Sequence, residues 1–258
     1  MKKSIISISS LLIIFLIWFL VAFFTKEIRD VDFPNPFSTL KGLLHNLQGE
    51  KIYDYSIYQH TFTSLGRWAF AYLMAVIVGI LLGFFLGVYP LLHKLFMPFV
   101  YAIQLVPGLA WIPIALLLFG LGSTSTLFMI FILGVIPIII TSSSGIRETS
   151  PELISTATYM GANKAMLFKH VLLPSSVFHI VDGMRIALSS SWRVLIAAEM
   201  IVGKGLGLGY IIIQSRWSLD YTSSFISIII IVSIGLIAEK LVFEKIEKHL
   251  RLKYGYKE

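Results

Sequence analysis

The chain has 258 residues, of which 57% are hydrophobic and 14% charged. Soluble domains carry roughly a quarter charged residues, so this is an integral membrane protein, and its long unbroken apolar runs exclude a β-barrel, which reads as weak alternating segments. The absence of cysteine excludes a disulfide framework and a thiolate metal site, and the net charge of +7 follows membrane topology rather than nucleic-acid binding.

A bilayer-spanning helix needs about 20 mostly apolar residues. Six stretches qualify: 7–24, 62–88, 95–119, 125–143, 177–202 and 222–242. Lys2 and Lys3 before the first resemble the start of a signal peptide, but Phe23-Phe24-Thr25-Lys26 offers no small-residue cleavage site. The segment reads as an uncleaved first helix. Residues 25–61 form a long connection in which Pro34, Pro36 and the run Ser38 to Leu44 predict an extended piece followed by a short interfacial helix. In the second span, Gly79, Gly83 and Gly87 lie four apart, a strip of small residues suited to close helix packing. Pro107, Gly108 and Pro113 interrupt the third span, either as a kink or as backbone lining a cavity. Gly134 and Pro137 interrupt the fourth.

The segment Gly145–Pro174 is a structured polar island between apolar runs. Thr149 or Ser150 is suited to cap a helix, Pro151 to its first position, and Glu152 to its positive end. Leu153, Ala157 and Met160 fall on one face. Gly161 permits a turn, Met166, Leu167 and Val171 begin a second apolar face, and Pro174 is expected to close the unit. Two short helices at an angle form a knob that fits a partner's groove.

The fifth span carries Asp182, Arg185, Arg193 and Glu199. Asp182 and Arg185, one turn apart, are expected to pair. Neither arginine lies directly beneath Glu199, so this carboxylate lines a path or its gate, pairs with a residue on another helix, or is exposed at the membrane surface. The glycine-dense run Gly203–Gly209 predicts a loop followed by an apolar helical piece near Tyr210–Ile213, and the tail from Lys240 to Arg251 is basic and amphipathic, suited to lie along the inner leaflet. Trp111 and Trp192 read as packing or interface aromatics.

Basic residues set orientation. With the N-terminus inside, the cytoplasmic parts hold Lys2, Lys3, Lys94, Arg147, Lys164, Lys169 and the tail lysines and arginine. The outer parts hold Lys26, Arg29, Lys41, Lys51, Lys204 and Arg216, while Arg67, Arg185 and Arg193 lie in or near spans. Both termini and the Gly145–Pro174 knob then face the cytoplasm.

Motifs for covalent chemistry are missing. Gly203-Lys204 is followed by glycine rather than Ser or Thr, Gly205, Gly207 and Gly209 lack dinucleotide spacing, and the histidines form no pair at one-turn spacing. No catalytic, cofactor-binding or metal-ligating residue is assigned, and the chain itself is not expected to hydrolyse ATP.

The knob resembles the EAA loop of ABC importer permeases, with the pattern E-A-A-x3-G-x9-I-x-L-P. Here Ser155-Thr156-Ala157, Gly161, Val171, Leu173 and Pro174 keep the spacing, with Ser155 in place of the glutamate and Thr156 in place of the first alanine. Ser64-Leu65-Gly66-Arg67, Val106-Pro107-Gly108-Leu109-Ala110-Trp111, Gly183-Met184-Arg185 and Ala197-Ala198-Glu199-Met200 extend the likeness over nearly the whole chain. It is similar to the nitrate, sulfonate and taurine branch of binding-protein-dependent permeases.

The resemblance implies an all-α membrane protein with six transmembrane helices and the type I ABC importer (MetI-like) permease fold. It implies a first helix and outer segment over 1–61, a permease core over 62–245 containing the coupling loop 145–174, and a cytoplasmic tail over 246–258. Pro151, Glu152, Ser155, Thr156, Ala157, Met160, Gly161, Val171, Leu173 and Pro174 would meet the ATPase. Gln104, Pro107, Trp111 and Glu199 are candidates for the translocation path. Many relatives carry arginine where Gln104 stands, and glutamine bonds an anion or a neutral solute. Two copies would pair in a bacterial or archaeal cytoplasmic membrane, with two ABC ATPase subunits binding ATP and Mg and an extracytoplasmic solute-binding protein. The expected solute is sulfonate, taurine or nitrate, with a thiamine precursor or other vitamin as the alternative. A docking scaffold without transport is the alternative of another class.

Overall fold

The computed structural model describes residues 2–30 and 32–253, without the side chains of residues 2–8, 10, 11 and 29. Lys2, Lys3 and Arg29, used above for orientation, therefore lie outside the described side chains, and Lys257 outside the described residues. In chain order the helices are α1 (Lys2–Arg29), α2 (Pro36–Leu47), α3 (Ile57–Val88), α4 (Pro90–Gln104), α5 (Ile112–Phe119) and α6 (Ser123–Arg147). They continue with α7 (Pro151–Tyr159), α8 (Lys164–Leu167), α9 (Leu173–Ile201), α10 (Leu208–Ser218), α11 (Tyr221–Ala238) and α12 (Glu244–Lys253). Strands β1 (Lys51–Ile52) and β2 (Tyr55–Ser56) form a small antiparallel hairpin.

Among the described residues four helical runs are long and apolar enough to cross a membrane: Ile57–Val88, Ser123–Arg147, Lys164–Ile201 and Tyr221–Lys253. A fifth arises if the bent pair Pro90–Gln104 and Gly108–Phe119 counts as one span. The expected first span falls in α1. The expected interruption of the third span is a sharp break: its two halves meet at 103°. Pro107 adopts φ −58 and ψ 140, which is extended, and has no N–H to continue the helix.

The chain divides into two compact units. One comprises residues up to Thr63 with Gly205–Val232. Its helix α2 begins where the Asn35 side chain accepts the Ser38 N–H at 2.8 Å, a cap that pins the helix start. The fully buried His60 joins distant backbone: Nδ1 lies 3.1 Å from both the N–H and the carbonyl of Gly207, while Nε2 faces the Ile52 carbonyl at 3.3 Å. Trp18 donates to the Pro34 carbonyl at 2.9 Å and stacks on Phe225.

The other unit comprises Ser64–Lys204 and the residues from Ser233 onward. Here α3, α6 and α9 approach closely. A Cβ added to Gly79 would sit 2.8 Å from Ile138, one on Gly83 2.6 Å from Ser142, and one on Gly87 3.0 Å from Ile146. The glycine strip is a packing seam against α6. On a neighbouring face of α6, Gly145 faces His179 and Gly183 faces Thr141 and Ile138. Lipid tails are as apolar as leucine, so such helices associate through close dispersion contact and bonds between helices. Trp68 donates to Ser191 and Tyr72 to the Met184 carbonyl, both at 2.9 Å.

At the chain's end, α11 passes through a widened π turn, Glu239–Phe243, into α12. Arg185 meets Glu239 and Glu247 at 3.0 Å each, and its guanidinium lies over the Phe243 ring. The expected Asp182–Arg185 pair is thus corrected: two tail carboxylates flank Arg185, while Asp182 stays exposed. The first part of the expected tail, 246–253, belongs to α12, and residues 254–258 lie outside the described residues.

Gly83→Val is expected to cost about 1–3 kcal/mol through overpacking, read as a lowered melting temperature in detergent. Gly66→Ala, where an added Cβ meets nothing within 4 Å, should change it far less.

Candidate functional site

The Gly145–Pro174 loop is held at its base. Thr149 is buried, its hydroxyl 2.6 Å from that of Ser175 at the start of α9 and 3.3 Å from the Gly145 carbonyl. Pro151 opens α7 as expected. Ser150 stands at the cap position, but its hydroxyl meets the Glu152 carboxylate instead of a backbone N–H. That hydroxyl, and next the residue's own backbone N–H, hold the Glu152 carboxyl below its ordinary value. Ser155, at the motif's glutamate position, turns its hydroxyl back to the Pro151 carbonyl at 2.7 Å.

Helix α7 ends in a tight bonded turn. Gly161 has φ +85, a conformation that side chains disfavour. Its N–H reaches the Thr158 carbonyl and the Ala162 N–H reaches Ala157, each at 3.0 Å. This is the paired bonding of a Schellman stop. Asn163 then caps α8, accepting the Met166 N–H at 2.8 Å. That cap went unread in the sequence, although an Asn three residues before an apolar position is a start signal.

The expected stop at Pro174 is corrected. From Lys164 the helix continues to Ile201 through a π turn at Phe168–Leu172. Proline clashes with the carbonyl four residues back, and a π turn displaces that carbonyl. The second half of the loop is thereby the first turns of α9 rather than a separate short helix. The loop exposes apolar side chains among polar ones: Leu153 and Met166 are exposed, Met160 is 82% exposed and Tyr159 91%, beside exposed Glu152, Ser155, Thr156 and Lys164.

A second region lies at the break between α4 and α5. Gln104, Trp111, Ile136 and Ser190 help line a cleft of about 120 Å³. It shares Leu133 and Ser190 with a neighbouring cleft of about 290 Å³, lined also by Gly108, Leu109 and Arg193. Pro107 forms the N-terminal boundary of the turn Gly108–Trp111. Glu199 lies elsewhere: it is buried, with Ser64 donating to its two oxygens at 2.9 and 2.8 Å and Arg67 pairing at 2.9 Å. Of the alternatives for this carboxylate, the geometry is that of a pair with another helix. Sequence spacing had no means of selecting Arg67, which is 132 positions away.

Residues 75–251 match the family described as binding-protein-dependent transport system inner membrane component. The chain belongs to this family. It is 31% identical over 240 residues to a putative ABC transporter permease protein of Methanocaldococcus jannaschii, covering 93% of this chain and 88% of the relative. It is 34% identical over 189 residues to the nitrate import permease protein NrtB of Leptolyngbya laminosa, covering 73% and 67%. It is 32% identical over 188 residues to the bicarbonate transport system permease protein CmpB of a Synechocystis strain, covering 72% and 67%. Its fold is similar to a chain of the MetNI methionine ABC transporter in inward-facing conformations, with a TM-score of 0.60 at 17% identity, covering 73% of this chain and 93% of that one. This ABC importer permease subunit is an integral membrane protein, and the matched region contains both the loop and the clefts.

Removing one partner of a buried ion pair costs about 3–5 kcal/mol. Glu199→Ala is therefore expected to lower the permease's melting temperature strongly, and Arg67→Met in the same chain to recover part of the loss. Thermal unfolding in detergent measures both.

Proposed function

We propose that two copies of this chain form the membrane passage of an ATP-driven importer, with both termini and the Gly145–Pro174 loop in the cytoplasm. The passage has six spans per copy, α1 being the first. Each loop seats in the groove of an ATPase subunit that binds ATP and Mg, and an extracytoplasmic binding protein delivers the solute. Closure of the ATPases rocks the pair between inward-open and outward-open states. The observation that carries this reading is the exposed apolar surface at Leu153, Tyr159 and Met160, beside a turn fixed by two backbone bonds and the Gly161 conformation. An apolar patch on a rigid polar-flanked loop marks a protein contact, and rigidity lets the contact transmit displacement.

Pro151, Glu152, Ser155, Thr156, Ala157, Met160 and Gly161 form the docking half of the loop. Val171, Leu173 and Pro174 carry the motion into α9, because the helix is continuous from Lys164 to Ile201. Gln104, Pro107 and Trp111 border the solute path, and Glu199 braces its wall through Arg67. The solute is a small anion of the sulfonate, taurine or nitrate kind, supported by relatives named for nitrate and bicarbonate.

Gly161→Pro and Gly161→Glu are expected to leave membrane insertion intact and to lose the ATPase subunit on purification. Co-purification at the wild-type ratio overturns the docking role. Reconstitution separates importer from scaffold: solute accumulation dependent on ATP and the binding protein supports import, and ATP turnover without accumulation overturns it.

A further inference from the structure

Four arginines lie in the Ser64–Lys204 unit; Arg147 closes α6 at its last residue, and of the three inside helices two have carboxylate partners. Arg67 pairs with Glu199, and Arg185 with Glu239 and Glu247. Arg193 differs. Its Nε donates to the Ser189 carbonyl one turn back at 3.0 Å, and among the described residues no carboxylate lies within ion-pair distance of it. The residue is exposed and stands eight positions before the end of α9 at Ile201, about 12 Å along the axis at 1.5 Å per residue. A guanidinium at that depth is costly against hydrocarbon, so such residues face water or a counter-charge.

The surroundings supply both room and donors. Arg193 borders the cleft of about 290 Å³. Through Ser190 and Leu133 that cleft adjoins the one of about 120 Å³ lined by Gln104 and Trp111. The smaller cleft holds roughly four waters at about 30 Å³ each, or a compact solute of few heavy atoms. The terminal nitrogens of Arg193 present a planar fork that matches an oxyanion. The Gln104 amide adds a neutral donor, while the Ser190 hydroxyl is turned to the Ile186 and Leu133 carbonyls at 3.0 and 3.2 Å and marks the junction of the two clefts. The other ionisable group on this exposed face of α9 is Asp182, eleven residues earlier and about 16 Å away by helical rise, too far to neutralise Arg193.

We propose that Arg193, assisted by Gln104, binds a small planar or tetrahedral oxyanion within the solute path and selects for its charge. The proposal rests on the import reading above and deepens it, because it places the selecting cation on α9 rather than at position 104.

The test uses the assembled importer, with its ATPase and binding protein, in phosphatidylcholine vesicles, measuring ATP-dependent uptake of nitrate and of bicarbonate. Wild type is expected to accumulate at least one of them. Arg193→Gln is expected to lower initial uptake tenfold or more with the ATPase still bound, and Arg193→Lys to keep an intermediate rate. Wild-type uptake by Arg193→Gln overturns the site. ATP-dependent accumulation of only a neutral or cationic solute also overturns it while leaving import standing, whereas ATP turnover with no uptake of any solute overturns import itself. A second measurement remains decisive if Arg193→Gln fails to assemble. The chain has no cysteine, so Ser190→Cys introduces a single thiol. A negatively charged methanethiosulfonate reagent is expected to label it several-fold faster than a positively charged one, and nitrate or bicarbonate to slow that labelling. Equal rates, or no labelling by either reagent, overturn the proposal.

Discussion

The close approach of α3, α6 and α9 is the constraint on which the rest of the permease core depends. Gly79, Gly83 and Gly87 bring α3 against Ile138, Ser142 and Ile146 of α6, while Gly145 and Gly183 bring α6 against α9. Inside a bilayer, apolar side chains gain nothing by leaving lipid for protein, so association relies on short-range dispersion and a few polar ties. Both are steep functions of distance. Helix α6 thereby becomes the reference axis of this unit. At one end the Gly122 N–H bonds to the Val202 carbonyl at 2.9 Å. At the other, Thr149 meets Ser175. The base of the Gly145–Pro174 loop is positioned by the same packing that closes the core.

Helix α9 shows how one element handles charge in three ways. Glu199 is buried and compensated by Arg67 and Ser64. Arg185 is clamped by the carboxylates of the terminal helix and covered by Phe243. Arg193 remains exposed beside a cleft. A charge satisfied within its own chain stiffens the fold, whereas one left facing an open space is available to a ligand. Burial and partner, rather than residue type, separate brace from binding group.

The Gly145–Pro174 loop gains stiffness from local chemistry. Its first helix has proline at the start, back-bonded hydroxyls along its length and a doubly bonded glycine turn at its end. Its second half has no independent boundary, because the helix runs on through a π turn into α9. The path from Tyr159 and Met160 to a membrane helix therefore runs through the doubly bonded turn at Gly161 and the helix that continues from Lys164. Ser155 and Thr156 depart from the common motif letters, yet the Ser155 hydroxyl is satisfied within α7, so the helix tolerates the change.

The sequence determined the features that depend on nearby residues: the apolar runs that became α3, α6, α9 and α11, the glycine strip of α3, the proline start of α7 and the left-handed turn at Gly161. It also held the Asn163 cap, a local signal that was not read. The tertiary structure alone decided which distant groups meet. Arg67 was selected for Glu199 across 132 positions, Arg185 was taken from Asp182 by Glu239 and Glu247, the third apolar run was folded at 103°, and Pro174 was carried inside a continuous helix. Helix propensity, turn geometry and hydrophobic period act over a few residues and are written in order along the chain. The partner of a charge, the angle at a break and the path of a helix past a proline are set by the neighbours that packing supplies, and linear order does not specify those neighbours.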